Sequence, residues 1–254
     1  MAVVVYSLAF FVFGMMTTLH MNTLTLKHGF LDGQVPRDGI PDLRLKSTFV
    51  GLLFVMTVRP VFYCLVAYDR FQMPSITPWL PVHMFLFTTI LYFWFYIYHR
   101  AMHEVDFLWK FHNTHHMAKH PNALLSAFAS RLGDNLWLVK AYSHHSSIDR
   151  EEEIFSFLVI PLLAYISFPV DFFTLWITSV YMLYAEVLGH SGIRLYQQQP
   201  VTGPVLRPFG MGLVGEDQWV LRSSISYGKQ TRVWDKLFGT MRPRVEMLDE
   251  NVDW

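Results

Sequence analysis

The chain has 254 residues, of which 52% are hydrophobic and only 16% charged, and its mean hydropathy of +0.27 indicates an integral membrane protein rather than a soluble domain. The formal net charge is zero, so nothing indicates capture of nucleic acid, which needs a basic face, and we expect no nucleic acid partner. The single cysteine, Cys64, lies in an apolar segment, so neither disulfides nor thiolate metal sites organise the fold.

About four to five apolar segments are long enough to cross or deeply enter a bilayer, which takes about 20 helical residues. The first covers residues 2–18; it lacks a basic start and a small-residue cleavage site, so we expect a retained membrane anchor. The second, residues 47–67, contains Arg59-Pro60, which we expect to kink the helix or to lie near an interface. Residues 1–76 are therefore predicted to form N-terminal membrane helices and a loop.

The third segment, residues 79–98, is the clearest span, and its aromatic C-terminal end suits the headgroup region. Residues 154–188 form a longer apolar region, which Pro169 and Asp171 divide, so we predict two helices joined by a tight turn. Such a hairpin returns to its starting side and brings the polar segment 99–153 and His190 into one compartment. Lysines and arginines flank the helices on that side, which the positive-inside rule assigns to the cytosol.

Histidines cluster on this predicted cytosolic side. His99 and His103 are four residues apart, and His112, His115 and His116 are similarly spaced, so that each group shares one face of a helix. A neutral imidazole is a good ligand for iron or zinc. The pattern predicts an all-α integral membrane protein with a cytosolic histidine-cluster metal site. The alternative is a set of polar residues at the membrane surface that bind no metal.

Four motifs resemble those of the fatty acid hydroxylase/sterol desaturase superfamily: HRAMH (99–103), FLWKFHNTHH (107–116), LGHSG (188–192) and YGKQTRVWDKLFGT (227–240). Members of that superfamily are membrane-embedded, non-haem di-iron enzymes of the endoplasmic reticulum that use dioxygen. The resemblance implies a hydroxylase-like domain over residues 77–244 and a C-terminal tail over 245–254. It implies that the metal ligands are His99, His103, His112, His115 and His116, with His190 at or near the iron. We interpret WDKLFGT (234–240) as a packing and turn element near the site.

The activity implied by the resemblance is dioxygen-dependent hydroxylation or desaturation of a hydrophobic, lipid-like substrate. Fatty acyl chains, sterols and polyketide or terpenoid intermediates of specialised metabolism are the candidate substrates, and membrane lipid surrounds their route of entry. The resemblance implies no catalytic residue beyond the metal ligands. Because the sequence contains no haem, flavin or dinucleotide fingerprint, we expect electrons from a partner. The resemblance implies that this partner is cytochrome b5 or its reductase.

The sequence departs from the family pattern at two places. The third histidine box of the family, HxxHH, precedes the segment that corresponds to Tyr227-Gly228, but residues 215–226 contain no histidine. Residues 130–148 are an atypical insertion, in which we interpret His144 and His145 as a solvated loop pair. Fewer imidazoles weaken a binuclear centre, for which Glu216 and Asp217 are alternative carboxylate ligands.

Three alternatives to a redox enzyme with a complete site therefore stay open. The first is a catalytically degenerate homologue with an accessory, non-redox role in a biosynthetic pathway. The second is a faulty gene model, in which an intron is retained at 130–148 and the exon of the third box is skipped. The third is a membrane protein that binds or carries zinc, which the position of the histidines at helix ends disfavours.

Overall fold

The computed structural model describes residues 1–30, 33, 57–112, 123, 158–189, 191–193, 201–209, 227–228 and 231–241. The helices in these ranges are α1 (Ala2–His28), α2 (Thr57–Ala67), α3 (Leu80–Glu104), α4 (Asp106–His112), α5 (Ile160–Ser167), α6 (Phe172–Gly189), α7 (Gly203–Leu206) and α8 (Val233–Leu237), with a 3-10 turn over Arg207–Phe209. Over the same ranges the structure has no strand, only one antiparallel bridge between Phe30 and Ile193. The predicted all-α class is therefore confirmed.

Three of the described helices, α1, α3 and α6, are long and apolar enough to cross a membrane. Helix α2 is apolar but shorter, and the first part of the predicted segment 47–67 lies outside the described residues. The expectation of a membrane protein is thus met by three candidate spans. The total of about four to five spans, the cytosolic orientation and the predicted domain boundaries stay predictions.

Helix α1 is longer than predicted and continues beyond Thr18 to His28. The hydroxyl groups of Thr18, Thr23 and Thr25 donate hydrogen bonds to backbone carbonyls one turn earlier, at 2.9–3.0 Å. Because each hydroxyl is satisfied within the helix, these polar residues do not end it. The helix ends where Gly29 adopts a φ of 82°, a conformation in which glycine carries no steric penalty.

The predicted break in the apolar region 154–188 is confirmed, since α5 ends at Ser167 and α6 begins at Phe172. Asp171 caps α6: one carboxylate oxygen accepts the backbone N–H of Thr174 at 3.0 Å, and the other accepts the Thr174 hydroxyl. Such a cap satisfies a backbone donor that no helical carbonyl reaches. Helix α6 then packs against α1, and α5 packs against α3.

Helix α3 carries a buried row of side chains at intervals of four residues. Leu91 and Phe95 lie in the apolar core with Ile160 and Ala164 of α5, and the same row continues into His99 and His103. Residues four apart share one face of a helix, so the packing that buries the apolar part of the row also fixes the two histidines. Val105 then takes an extended conformation, which ends α3 and directs α4 back towards it.

Candidate metal centre

Three histidines meet at the C-terminal end of α3: His99 and His103 from α3 itself and His112 from the end of α4. Their exposed fractions are 6%, 3% and 3%, and one ligand nitrogen of each lies within 4.8 Å of those of the other two. The ring centroids are 4.7–4.8 Å apart for all three pairs, so the imidazoles form a nearly equilateral triangle. The predicted juxtaposition of these three histidines is therefore present.

The spacing of the nitrogens fits a shared metal ion. The Nε2 atoms of His99 and His103 are 3.1 Å apart. Two nitrogens bound at about 2.1 Å to one ion, at right angles to each other, lie about 3.0 Å apart. A set of three buried imidazole nitrogens suits iron, zinc or copper rather than calcium or magnesium, which prefer oxygen ligands.

The second nitrogen of His99 defines its tautomer. Nδ1 lies 2.9 Å from the backbone carbonyl oxygen of Tyr227. A carbonyl only accepts hydrogen bonds, so Nδ1 carries the proton and donates it. The lone pair of the neutral ring is then on Nε2, the atom that faces His103, as expected for a metal-binding imidazole with a supporting acceptor.

Asp235 holds the segment that supplies this carbonyl. Its side chain is fully buried and accepts the backbone N–H groups of Tyr227 at 2.7 Å and Gly228 at 2.8 Å. The hydroxyl of Thr240 donates a third hydrogen bond, at 2.8 Å. Three donors offset the cost of removing a carboxylate from water, so the group is stable in this position.

Helix α8, which contains Asp235, is itself fixed to α3. The indole Nε1 of Trp234 donates to the backbone carbonyl of Thr89 at 3.1 Å, and its ring centroid lies 4.9 Å from that of Phe93. Phe238, just beyond α8, stacks on Tyr96 with centroids 5.1 Å apart. These contacts tie residues 227–228 and 231–241 to the same helix that holds two of the histidines.

Aromatic rings form the apolar wall of the histidine cluster. Trp109 lies 5.0 Å from His103 and Phe95 lies 5.4 Å from His99, measured between ring centroids. Tyr227 lies 5.8 Å from His103. A wall of this kind limits the access of water to the nitrogens and lowers the local polarity, and both effects influence the potential and proton affinity of a bound group.

Polar side chains near the C-terminal end of α3 form a hydrogen-bonded network beside the histidine cluster. Arg100 pairs with Glu104 at 2.9 Å and donates to the hydroxyl of Tyr96 at 3.3 Å, which in turn lies 3.1 Å from the Thr240 hydroxyl. Burial, and secondarily the negative charge of Glu104, raise the pKa of Tyr227. Its phenol therefore stays neutral at physiological pH.

The other predicted site residues lie outside the described residues. These are His115, His116 and His190, together with the insertion at 130–148 and the segment 210–226 that contains Glu216 and Asp217. Their assignment as metal ligands, alternative ligands or loop residues stays a prediction. The metal-binding role of His99, His103 and His112 is likewise a prediction, although their positions fit it.

Sequence reasoning missed the part that Tyr227 and Asp235 play at the site. The Tyr227 contact is made by a backbone carbonyl, which leaves no signature in the side-chain pattern. Asp235 lies in the segment interpreted only as a packing and turn element. The available signal was a carboxylate directly after Trp234 in a short apolar helix, where an unpaired charge is costly.

Comparison with known proteins shows that the chain is similar to a curated hydroxylase. The chain is 38% identical over 255 residues to a curated protein named Fatty acid hydroxylase vlmA, from Lecanicillium sp. The match covers 92% of this chain, which spans 64% of the length of that relative. No family model and no solved structure matches the chain.

Proposed function

We propose that the chain, which is 38% identical to a curated fatty acid hydroxylase, is a membrane oxidoreductase that hydroxylates or desaturates a lipid-like substrate at a non-haem iron centre, using dioxygen. The observation that supports this proposal best is the convergence of three buried imidazoles at the end of a membrane-length helix. Imidazole is a preferred ligand of iron, and nitrogens from three helix-borne imidazoles lie close enough to share one ion.

The residues that would hold the iron are His99, His103 and His112, joined by His115, His116 and His190 if the centre contains two ions as the resemblance implies. When bound, iron supplies the redox chemistry with dioxygen that an unactivated C–H bond requires. The protein contributes ligands on helices, which keep a metal site more precisely than loops do. The hydrogen bond from His99 to Tyr227 keeps one ligand in the required tautomer.

A route for a hydrophobic substrate follows from the position of the cluster. The outer face of α3 exposes apolar side chains such as Val82, Leu86 and Ile97, which suit contact with lipid tails. His99 and His103 lie on the same helix, at its C-terminal end. We propose that a lipid-like substrate enters from the bilayer between the helices and brings its reacting carbon to the C-terminal end of α3, where the histidines lie.

The remaining parts of the proposal come from the sequence. The lysines and arginines that flank the membrane helices favour a cytosolic site, and the resemblance favours the endoplasmic reticulum. The resemblance favours cytochrome b5 or its reductase as the proposed electron donor. The substrate class is a fatty acyl chain, a sterol, or a polyketide or terpenoid intermediate.

Metal analysis of detergent-purified protein tests the function directly. We expect wild-type protein to contain at least stoichiometric iron, and His103→Ala to lose about 90% or more of it, because removal of a ligand should cost at least the roughly 10- to 100-fold in metal affinity that loss of a supporting residue costs. His20→Ala is the control, since His20 is exposed on α1 and remote in sequence from the cluster. Lipid extracts from yeast that express each variant should contain a new oxidised product only for wild type and His20→Ala.

A second candidate function is a homologue without redox chemistry, which the absence of histidine from residues 215–226 favours. For this candidate, purified protein contains iron well below one ion per chain and does not take it up from ferrous salt. Identical lipid profiles for wild type and His103→Ala would support this candidate over the oxidoreductase.

A further inference from the structure

We propose that Asp235 is a positioning residue of the metal centre, which fixes the Tyr227–Gly228 peptide and thereby holds His99 in the tautomer that presents Nε2 to the metal. The inference rests on the proposed metal-dependent function. It concerns a residue that touches neither the metal nor the substrate and acts through one peptide unit.

The geometry of a single peptide explains how the carboxylate acts on the histidine. The carbonyl of Tyr227 and the N–H of Gly228 belong to the same planar, trans peptide unit, so they point in opposite directions. Asp235 accepts the N–H at 2.8 Å, and His99 donates to the carbonyl at 2.9 Å. A rotation of this peptide would break both hydrogen bonds together, so the carboxylate resists the rotation that would release His99.

The carboxylate holds the peptide from two points. Besides Gly228, it accepts the N–H of Tyr227 at 2.7 Å, which fixes the preceding peptide unit as well. The Thr240 hydroxyl donates to the same carboxylate at 2.8 Å, and Trp234 joins α8 to the carbonyl of Thr89 in α3. The position of Asp235 is therefore defined relative to α3, the helix that contains His99.

Gly228 shows how closely this carboxylate approaches the backbone. A Cβ atom added at Gly228 would lie 2.5 Å from Oδ2 of Asp235 and 2.5 Å from the backbone oxygen of Thr231. Both separations are far shorter than a van der Waals contact, so only glycine allows the observed approach. The glycine at position 228 is therefore required for the hydrogen bonds between Asp235 and the Tyr227–Gly228 peptide.

Loss of the Tyr227 contact would change the chemistry of His99. An imidazole without a fixed acceptor at Nδ1 populates both neutral tautomers, and the tautomer with a proton on Nε2 offers no lone pair towards His103 and the metal. Supporting hydrogen bonds of this kind typically contribute about 10- to 100-fold in metal affinity. We expect that range for removal of the Asp235 carboxylate.

The experiment compares Asp235→Asn with Asp171→Asn in the full-length protein in detergent. Asp171 is a matched control because its carboxylate also accepts a backbone N–H and a threonine hydroxyl, but caps α6 rather than contacting residues 227–228. Co²⁺ is the probe, with affinity measured by competition with a chelator and geometry by its visible absorption bands. We expect Asp235→Asn to lose about 10- to 100-fold in Co²⁺ affinity and to alter the bands, while Asp171→Asn changes neither.

A second measurement needs no metal. Nitrogen NMR of ¹⁵N-histidine-labelled, metal-free protein should show one resonance pair, absent from His99→Ala, with the proton on Nδ1. In Asp235→Asn the same pair should move towards a mixture of tautomers. Gly228→Ala, which displaces the carboxylate without removing it, should produce the same two changes if Asp235→Asn does not fold.

The outcomes separate this inference from the proposed function. Wild-type Co²⁺ affinity and an unchanged His99 tautomer in Asp235→Asn or in Gly228→Ala would overturn the positioning role. If Asp235→Asn shifts the His99 tautomer as expected but the wild-type protein forms no oxidised lipid, the role of Asp235 stands and the oxidoreductase is rejected. Equal losses in Asp171→Asn and Asp235→Asn would assign both to general destabilisation and also overturn the inference.

Discussion

The two ring nitrogens of His99 face different partners, and this asymmetry defines the chemistry of the site at the scale of single residues. Nδ1 donates to the Tyr227 carbonyl, and Nε2 faces His103 at 3.1 Å. The neighbouring rings, Phe95 and Trp109, contribute no competing charge. A set of imidazoles of this type would bind a transition metal through nitrogen lone pairs whose direction is fixed before the metal arrives.

A substitution at Tyr227 tests whether its backbone or its phenol supports His99. We expect Tyr227→Phe to leave Co²⁺ affinity within about 2-fold of wild type, because the contact to His99 is made by the carbonyl, which the change retains. Competition titration with a chelator measures this. A loss as large as that of Asp235→Asn would contradict the prediction and assign the role to the phenol.

At the scale of elements, the site depends on three contacts of α3, since α4 returns His112 to it, α5 supports its buried row and α8 ties residues 227–228 to it. The contacts with α4 and α5 are predictable from sequence, because the spacing of apolar residues and of the i,i+4 histidines is a pattern within short segments of the chain. The link from His99 to Tyr227 is not predictable in this way, since it joins residues 128 positions apart through a backbone atom. The length of α1 was underestimated because Thr18 and Thr25 satisfy their hydroxyls within the helix.

Two tryptophans, Trp234 on α8 and Trp94 on α3, test which contact between elements matters for the metal. Trp234→Phe removes the hydrogen bond to the Thr89 carbonyl, and Trp94→Phe removes the hydrogen bond to the Ser167 hydroxyl. Each change should destabilise the protein by about 1 kcal/mol, the usual contribution of one hydrogen bond. Only Trp234→Phe should also weaken Co²⁺ binding, because only it loosens α8. Thermal unfolding in detergent and cobalt titration measure the two effects.

The cap of α6 provides a prediction that concerns stability alone. Asp171→Ala removes the acceptor of the Thr174 N–H, and we expect a loss of about 1 kcal/mol, with a lower melting temperature in detergent. Asp69→Ala is a suitable comparison, since the Asp69 carboxylate accepts the N–H of Phe71 in an exposed turn. Asp69→Ala should lower the free energy of unfolding by less than Asp171→Ala does. An equal or larger loss for Asp69→Ala would contradict the importance of the cap.

At the scale of the whole molecule, the composition was sufficient to predict an all-helical membrane protein, because hydropathy is a sum over the chain and needs no knowledge of contacts. Its three candidate spans differ in role: α1 packs against α6, while α3 holds the histidines. The number of spans depends on segments such as 47–56 and 113–157, which lie wholly or mostly outside the described residues. Sequence alone thus predicts the kind of fold better than the completeness of its site.

Topology is testable because the chain contains only one cysteine, the buried Cys64. In a Cys64→Ser background, Glu104→Cys introduces a thiol at the last residue of α3 and Met73→Cys introduces one before its start, both at exposed positions. If α3 spans the membrane with the histidines towards the cytosol, an impermeant maleimide labels Glu104→Cys in intact microsomes. It should label Met73→Cys only after detergent is added, and the reverse pattern would place the histidines in the lumen.

The long sequence separation between His99 and Tyr227 has a consequence for biosynthesis. The ribosome releases α3 well before it has made the segment that fixes the Tyr227–Gly228 peptide. A nascent chain therefore carries clustered imidazoles whose protonation pattern is still undecided, and insertion into the bilayer precedes the completion of the pocket. If the cluster binds a metal as proposed, we expect the metal to enter at a late, post-translational stage of maturation.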